Sequence, residues 1–235
     1  LKARHAVRVD PDSRKAVDGA STVVLAVKPQ TLDEVMRQLR GAVPPQALVL
    51  SIVAGARLLD LTRGLSHAAV VRSMPNTPAQ VGEGITVWTA TPESTAEQRE
   101  EARAILASCG QELFVENEDY LDMATALSGT GPAYVFLFME AMVDAGVHLG
   151  FPRRIAEVLV VQTVRGSVAF YESSPMHLAR LRNQVTSPGG TSAAALYYLE
   201  KAGFRTAISR AIWAAYERSI ELGQGRKRGS IEEGS

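Results

Sequence analysis

The 235-residue chain has one cysteine, Cys109, so an internal disulfide is excluded. A single thiol also rules out a Cys-rich zinc site and suits a reducing, cytoplasmic compartment. An excess of charge of one sign is missing as well: 25 Lys+Arg balance 25 Asp+Glu. No general attraction to nucleic acid or anionic membrane is therefore indicated. The four histidines, His5, His67, His148 and His177, lack metal-ligand spacing, and no metal is expected. The most apolar run, Pro132–Gly150, is broken by Glu140 and Asp144, which argues against a membrane span. No cleavable signal opens the chain. Three catalytic signatures are absent: the Walker G-x-x-x-x-G-K-[ST], the nucleophile elbow G-x-S-x-G and the dinucleotide turn G-x-G-x-x-G.

Hydrophobic residues make up 46% of the chain, enough for a sizeable core. The first half alternates β-branched runs with helical patterns, the mark of an α/β sheet. Strands are predicted at Thr22–Val27, Ala47–Val53, Ala69–Ser73, Gly84–Thr89 and Glu112–Val115. Helices are predicted at Thr31–Leu39, Leu58–Gly64 and Ser94–Cys109, the last opened by a Ser94/Glu97 capping box. The run around Thr22–Val27 is apolar on both faces, as in a buried parallel strand.

Beyond Glu116 the pattern is helical only: Glu118–Ala126, Pro132–Leu149, Arg153–Tyr171, Pro175–Asn183 and Ser192–Leu222, the last broken at Gly203. Pro132–Leu149 and Arg153–Tyr171 are apolar around most of their circumference and must be covered all round. A domain of about 110 residues can hardly do so, which points to a partner subunit. The expected fold class is thus α/β plus all-α. Residues 1–116 form a sheet domain, 117–222 a helical domain, and 223–235 a polar, disordered tail. Leu1 rather than Met opens the chain, and Leu1–Val9 reads as the tail of a helix and a short strand. A preceding N-terminal piece is expected.

Four small-residue motifs could carry chemistry. VTSPGGTSAAALYYLE, Val185–Glu200, sets Gly189 and Gly190 before a helix. The helix aims unpaired N–H groups and its positive dipole end at the turn, which suits a carboxylate or phosphate. An ordinary loop with a Ser N-cap fits the same residues. AVKPQ, Ala26–Gln30, closes a strand and puts Lys28 where ligands of open α/β sheets bind, or merely in solvent. In RSMPNTPAQVGEG, Arg72–Gly84, two prolines stiffen a loop around Asn76, which can face a ligand or close a local Asx turn. LSGTGPAYVF, Leu127–Phe136, lets a cofactor ring approach the backbone or two helices pack closely.

In this order AVKPQ, MPNTP, SGTGPAY, GFPRR (Gly150–Arg154) and VTSPGGTSAAALYYLE resemble the Δ1-pyrroline-5-carboxylate reductases of proline synthesis, over nearly the whole chain to Leu222. The resemblance implies a Rossmann-type parallel-sheet domain, here truncated because its G-x-G-x-x-G segment would precede Leu1, followed by a helical dimerisation domain. It places Ala26, Val27, Lys28, Pro29, Val53, Ala54 and Asn76 at the cofactor, with Ser13 where the family tends to have Asn. It places the substrate carboxylate at Ser187, Gly189, Gly190, Thr191 and Ser192, with Ser192 where the family usually has Thr. The implied reaction is hydride transfer from NADPH, or NADH, to pyrroline-5-carboxylate in a homodimer or higher homo-oligomer. Cofactor binding is expected to be impaired if the missing segment is required.

A protonated cyclic imine is a good hydride acceptor, so the protein mainly orients and encloses. No His or Cys is required as an acid, and Ser192 is the candidate hydrogen-bonding partner of the ring nitrogen; Tyr and Glu donors, Glu172 among them, stay open. Two other readings remain. One is a hydroxyacid dehydrogenase of the 6-phosphogluconate type, disfavoured because Glu116–Pro132 carries no Lys. The other is a noncatalytic dimeric module.

Overall fold

The computed structural model describes residues 7–174 and 176–223. The expected tail lies outside them except for Gly223, as does most of the Leu1–Val9 segment. Residues 7–9 are irregular.

The chain forms two compact units. The first comprises described residues 7–131 and 213–223, the second Pro132–Ile212. In the first, α1 (Ser13–Ala16) leads to β1 (Thr22–Leu25), α2 (Pro29–Leu39), β2 (Leu48–Ser51), α3 (Leu58–Leu65) and β3 (Val70–Met74). A 3-10 turn (Thr77–Val81), β4 (Gly84–Ala90), α4 (Ala96–Ala107), β5 (Gly110–Phe114) and α5 (Asp119–Ala124) follow. All five strands occur where the sequence puts them, in spatial order β1-β2-β3-β4-β5.

The sheet is not wholly parallel. β1, β2 and β3 run parallel, β4 runs antiparallel to β3, and β5 is parallel to β4. Connection length explains the reversal. Only residues 75–83 join β3 to β4, fewer than a parallel crossover needs. The β4–β5 connection contains α4 and returns in parallel.

Helices cover both faces. Val23, Leu25, Val49 and Val70 pack against Leu32, Met36, Leu61 and Leu65 of α2 and α3. Leu48, Leu50, Val71 and Trp88 pack against Ala102 and Leu106 of α4. The strand β2 is buried throughout. β1 departs from expectation, since Val24 is 48% exposed. It is an edge strand of the described sheet, and at Thr22 it donates a hydrogen bond to Glu101 of α4 at 2.5 Å. The α4 cap also moves one residue. Thr95 and Gln98 form the capping box, because the buried Ser94 hydroxyl pairs with Thr91 at 3.0 Å.

A π-helical turn, Thr125–Gly129, continues α5 into α6 (Gly131–His148). The helices α7 (Arg153–Ser173), α8 (Leu178–Gln184), α9 (Thr191–Lys201) and α10 (Phe204–Gly223) complete the chain. The expected break at Gly203 is present, with φ +72° in the left-handed region. Within the second unit Val143, Ala156 and Val160 form a small core between α6 and α7. Most of the remaining apolar surface is open: Leu137 is 67% exposed and Val158 63%.

Candidate active site

In the first unit the chain turns sharply at the carboxyl ends of β1 and β2. Lys28 stands at the N-cap of α2 and its carbonyl accepts from Thr31 N–H and Oγ1, both at 3.0 Å. Pro29 occupies the first turn, where no N–H is needed. After β2, Val53 N–H donates to Ser51 Oγ (3.2 Å) and Ile52 N–H to Leu25 O (3.0 Å), so the two strand exits are tied together. Gly55 then bends the chain with φ +77°. A Cβ there would lie 3.1 Å from Gly223 N, at the end of α10.

Pro29, Val53, Ala54, Gly55, Asp60 and Gly223 are among the residues that line a cleft of about 730 Å³. It lies outside the strands' carboxyl ends, the ligand crevice of open α/β sheets. Three of the residues expected at the cofactor, Pro29, Val53 and Ala54, therefore share one cavity wall. Ala26, Val27 and Lys28 immediately precede it, and Lys28 is exposed with no ion pair among the described residues. Ser13 begins α1, whose N-cap is Asp12 (Asp12 Oδ1 accepts from Arg14 N–H, 2.9 Å), and does not line the cleft.

Asn76 follows β3 at the same end of the sheet, but its amide is engaged within the protein. Its Oδ1 accepts from Ile85 N–H (3.0 Å) and its Nδ2 donates to Ser128 O (3.2 Å). It clasps the MPNTP loop to β4 and to the SGTG turn. One amide hydrogen and one lone pair remain for any further partner. The SGTG turn packs tightly too: a Cβ on Gly129 would meet Met74 Cε at 2.7 Å.

The second unit carries the Gly-Gly turn. Gly190 N–H donates to Ser187 O at 3.0 Å, closing a four-residue turn. Pro188 takes its second position and Gly189, φ +71°, its third, the residues that a type II turn favours. Gly190 lies close under Ser187: a Cβ would stand 2.5 Å from Ser187 Oγ and 3.2 Å from its carbonyl oxygen, so the serine side chain would have to move. Gly190 is also the N-cap of α9, and no side chain caps that helix. The first-turn N–H groups of Thr191, Ser192 and Ala193 are thus left for an outside acceptor. Ser192 sits at the second helical position, half-buried. Among the described residues the hydroxyls of Ser187, Thr191 and Ser192 make no hydrogen bond, whereas neighbouring Thr186 spends its own on Arg182 O at 2.6 Å. Gly190, not a serine, is the N-cap, and no side-chain cap bond is made at this turn.

The sequence reading missed a cluster of charges in the first unit. Arg72 on β3 is 3% exposed and donates to Glu118 (2.9 Å) and Asp122 (2.8 Å). Arg57, just beyond the Gly55 bend, pairs with Asp122 (3.0 Å) and Asp119 (3.2 Å). Burial opposes the Arg57 charge, but Asp122, Glu118 and Asp119 outweigh it and raise its pKa. The signal was present: an arginine inside the buried run VVRSM needs buried carboxylates. His67 is a packing residue, its Nε2 donating to Ala47 O at 2.7 Å. Among the described residues no group of three His, Cys, Asp or Glu side chains could hold a metal.

A nucleotide-type α/β sheet followed by a helical unit with uncovered apolar faces defines a Rossmann-type reductase architecture with an oligomerisation segment. The family model for pyrroline-5-carboxylate reductase dimerisation matches residues 118–222. A pyrroline-5-carboxylate reductase of Synechocystis sp. is 44% identical over 95% of this chain and 83% of its own length. One of Pseudomonas aeruginosa is 40% identical over 95% and 82%. The crystal structure of Plasmodium falciparum pyrroline carboxylate reductase with NADP bound superposes with a TM-score of 0.88 and 33% identity, covering 94% of this chain and 84% of that one. The chain belongs to the pyrroline-5-carboxylate reductase family. Its dimerisation segment accounts for Asp119–His148, a helical run that by length and composition alone could cross a membrane but carries Asp122, Glu140 and Asp144.

Proposed function

We propose that this chain reduces Δ1-pyrroline-5-carboxylate to proline with NADPH, or NADH, as reductant. The observation that carries the reading is the uncapped helix behind the Ser187–Gly190 turn. A substrate carboxylate accepts there from Thr191, Ser192 and Ala193 N–H, in the field of the α9 dipole. That anchorage fixes the ring's orientation and the face presented to the reductant. The Ser192 hydroxyl positions the ring nitrogen. Ala26–Pro29, Val53, Ala54 and Asn76 serve the cofactor, whereas Ser13, outside this cleft, is assigned to it on the family resemblance alone. The cleft behind Pro29 and Val53–Ala54, with its Gly55 bend, suits a group that needs close backbone approach. When bound, the cofactor would supply the hydride for C5; with one proton from solvent on the ring nitrogen, the products would be proline and the oxidised cofactor.

We further assign residues 1–116 to cofactor binding and 117–222 to dimerisation and substrate. The match beginning at 118 supports this division, while α5 packs on β3 and β4. The protein acts as a homodimer or larger assembly in the reducing cytoplasm, a setting its single cysteine suits. Following NADPH oxidation by the purified protein with pyrroline-5-carboxylate, and with 1-pyrroline lacking the carboxylate, tests the reading. The carboxylated imine should be strongly preferred. No oxidation with either would leave a noncatalytic dimeric module, and equal rates would remove the carboxylate cradle.

A further inference from the structure

The charge cluster around Asp122 has no part in the proposed chemistry, yet it grips the wall of the cofactor cleft. Asp122 is 4% exposed at its side chain and accepts from Arg57 Nη2 (3.0 Å), Arg72 Nη2 (2.8 Å) and Ser219 Oγ (3.2 Å). Glu118 Oε1 accepts from Arg72 Nη1 (2.9 Å) and from the Leu58 backbone N–H (2.8 Å). Leu58 is the first residue of α3, whose N-cap, Arg57, makes no side-chain cap bond. A carboxylate sixty residues away in sequence caps that helix instead. Both carboxylates thus hold the two residues that follow the Gly55–Ala56 bend.

The last turns of α10 touch the same segment twice. Ser219 bonds Asp122, and Leu222–Gly223 lie against Gly55 closely enough that a Cβ on Gly55 would sit 3.1–3.3 Å from them. The bend, its ionic anchor and the end of α10 form one assembly, and Val53–Ala56 with Gly223 line the cleft.

We propose that Asp122 and Glu118 are positioning residues for the cofactor: acting through Arg57 and Leu58, they fix the Val53–Arg57 loop in the conformation that binds the dinucleotide. The inference rests on the assignment of this cleft to the cofactor. Arg72 supplies a buried countercharge to both carboxylates, and Arg57 reaches Asp122 from the solvent side with its side chain 39% exposed. Position, not contact, is the role: none of the four is among the residues lining the cleft.

The test uses the full chain with Arg57→Ala, Arg57→Lys and Ser219→Ala. Arg57 is half-exposed, so its removal leaves the buried Arg72–Asp122 pair in place to hold the fold. For Arg57→Ala, Kd and KM for NADPH should rise about tenfold, the usual worth of a charge-assisted bond, with kcat and the pyrroline-5-carboxylate KM within about twofold. Arg57→Lys should recover part of the loss, and Ser219→Ala should raise the NADPH Kd only about two- to fourfold. Circular dichroism and thermal melts would be run alongside. If Arg57→Ala binds NADPH like the parent while only its melting temperature falls, the cluster is structural and the inference is overturned. If the parent itself binds no NADPH, the assignment of the cleft fails and this inference with it.

Discussion

The sheet unit and the helical unit solve the burial problem differently. In the sheet unit Leu48, Val49, Leu61, Val70 and Val71 are all fully buried by the chain itself. In the helical unit α6 and α7 together bury only Val143, Ala156 and Val160, while Leu137, Phe136 and Val158 remain more than 60% exposed. The first unit buries its core with its own elements. The second leaves a large apolar surface open, of the kind that a dimerisation segment covers with a partner chain.

A charge on the open helical face gives the largest expected effect. Leu137→Glu would bury an unpaired carboxylate at the interface, a cost of several kcal/mol, and should convert the assembly to monomers with loss of activity. Val81→Glu, on an equally apolar but isolated residue of the sheet unit, 77% exposed, should leave size and activity unchanged. Light scattering after gel filtration reads both. A Leu137→Glu protein that stays oligomeric would remove the contrast between the units.

Core truncation comes next. Leu61→Ala in the sheet unit empties a fully buried site and should cost about 2–5 kcal/mol by urea unfolding at any protein concentration. Leu159→Ala on α7, 48% exposed, should show a penalty that depends on protein concentration, because it weakens association. Equal, concentration-independent losses would make the two units alike.

Ser192→Ala sharpens the comparison at the site itself. The hydroxyl has no partner among the described residues, so its removal should leave unfolding unchanged. It should raise KM for pyrroline-5-carboxylate and lower kcat/KM, by about 1–3 kcal/mol if the bond is buried on substrate binding. Unchanged kinetics would remove Ser192 from the site.

These contrasts also mark what was legible in the residues. Strand positions could be read because β-branched runs between helical patterns have one economical solution. The Gly203 break and the apolar helices could be read from periodicity and φ preference. Strand direction could not: that β4 reverses follows from the short 75–83 connection, which hydrophobic patterning does not encode. The exposure of Val24 was hidden for a related reason, since an apolar run does not say which strand lies at an edge. At the site, Gly189 announces the turn because its left-handed φ of +71° favours glycine. The partners of Asn76, Ile85 and Ser128, could not be read at all, because they are brought to it only by the tertiary fold.

The smallest effect concerns pH and belongs to the self-sufficient unit. The Glu112 carboxylate accepts from the Trp88 indole at 2.6 Å and from Arg103 Nε at 2.8 Å, beside the 4.9 Å edge-to-face contact of Trp88 with Phe114. The indole bond chiefly, then Arg103, holds the Glu112 carboxyl below its ordinary range against the opposing effect of burial. Because the folded pKa lies below the unfolded one, the ionised form favours folding. Its stabilisation is complete above the unfolded value of about 4.3 and is lost as pH falls through the lower folded pKa. Glu112→Gln should therefore be less stable than the parent at neutral pH, and the gap should close on acidification below about pH 4. Urea unfolding of both proteins across that range gives the measurement. A gap that stays constant with pH would show that the carboxylate's charge contributes nothing beyond a neutral hydrogen bond to Trp88 added to the β4–β5 ladder.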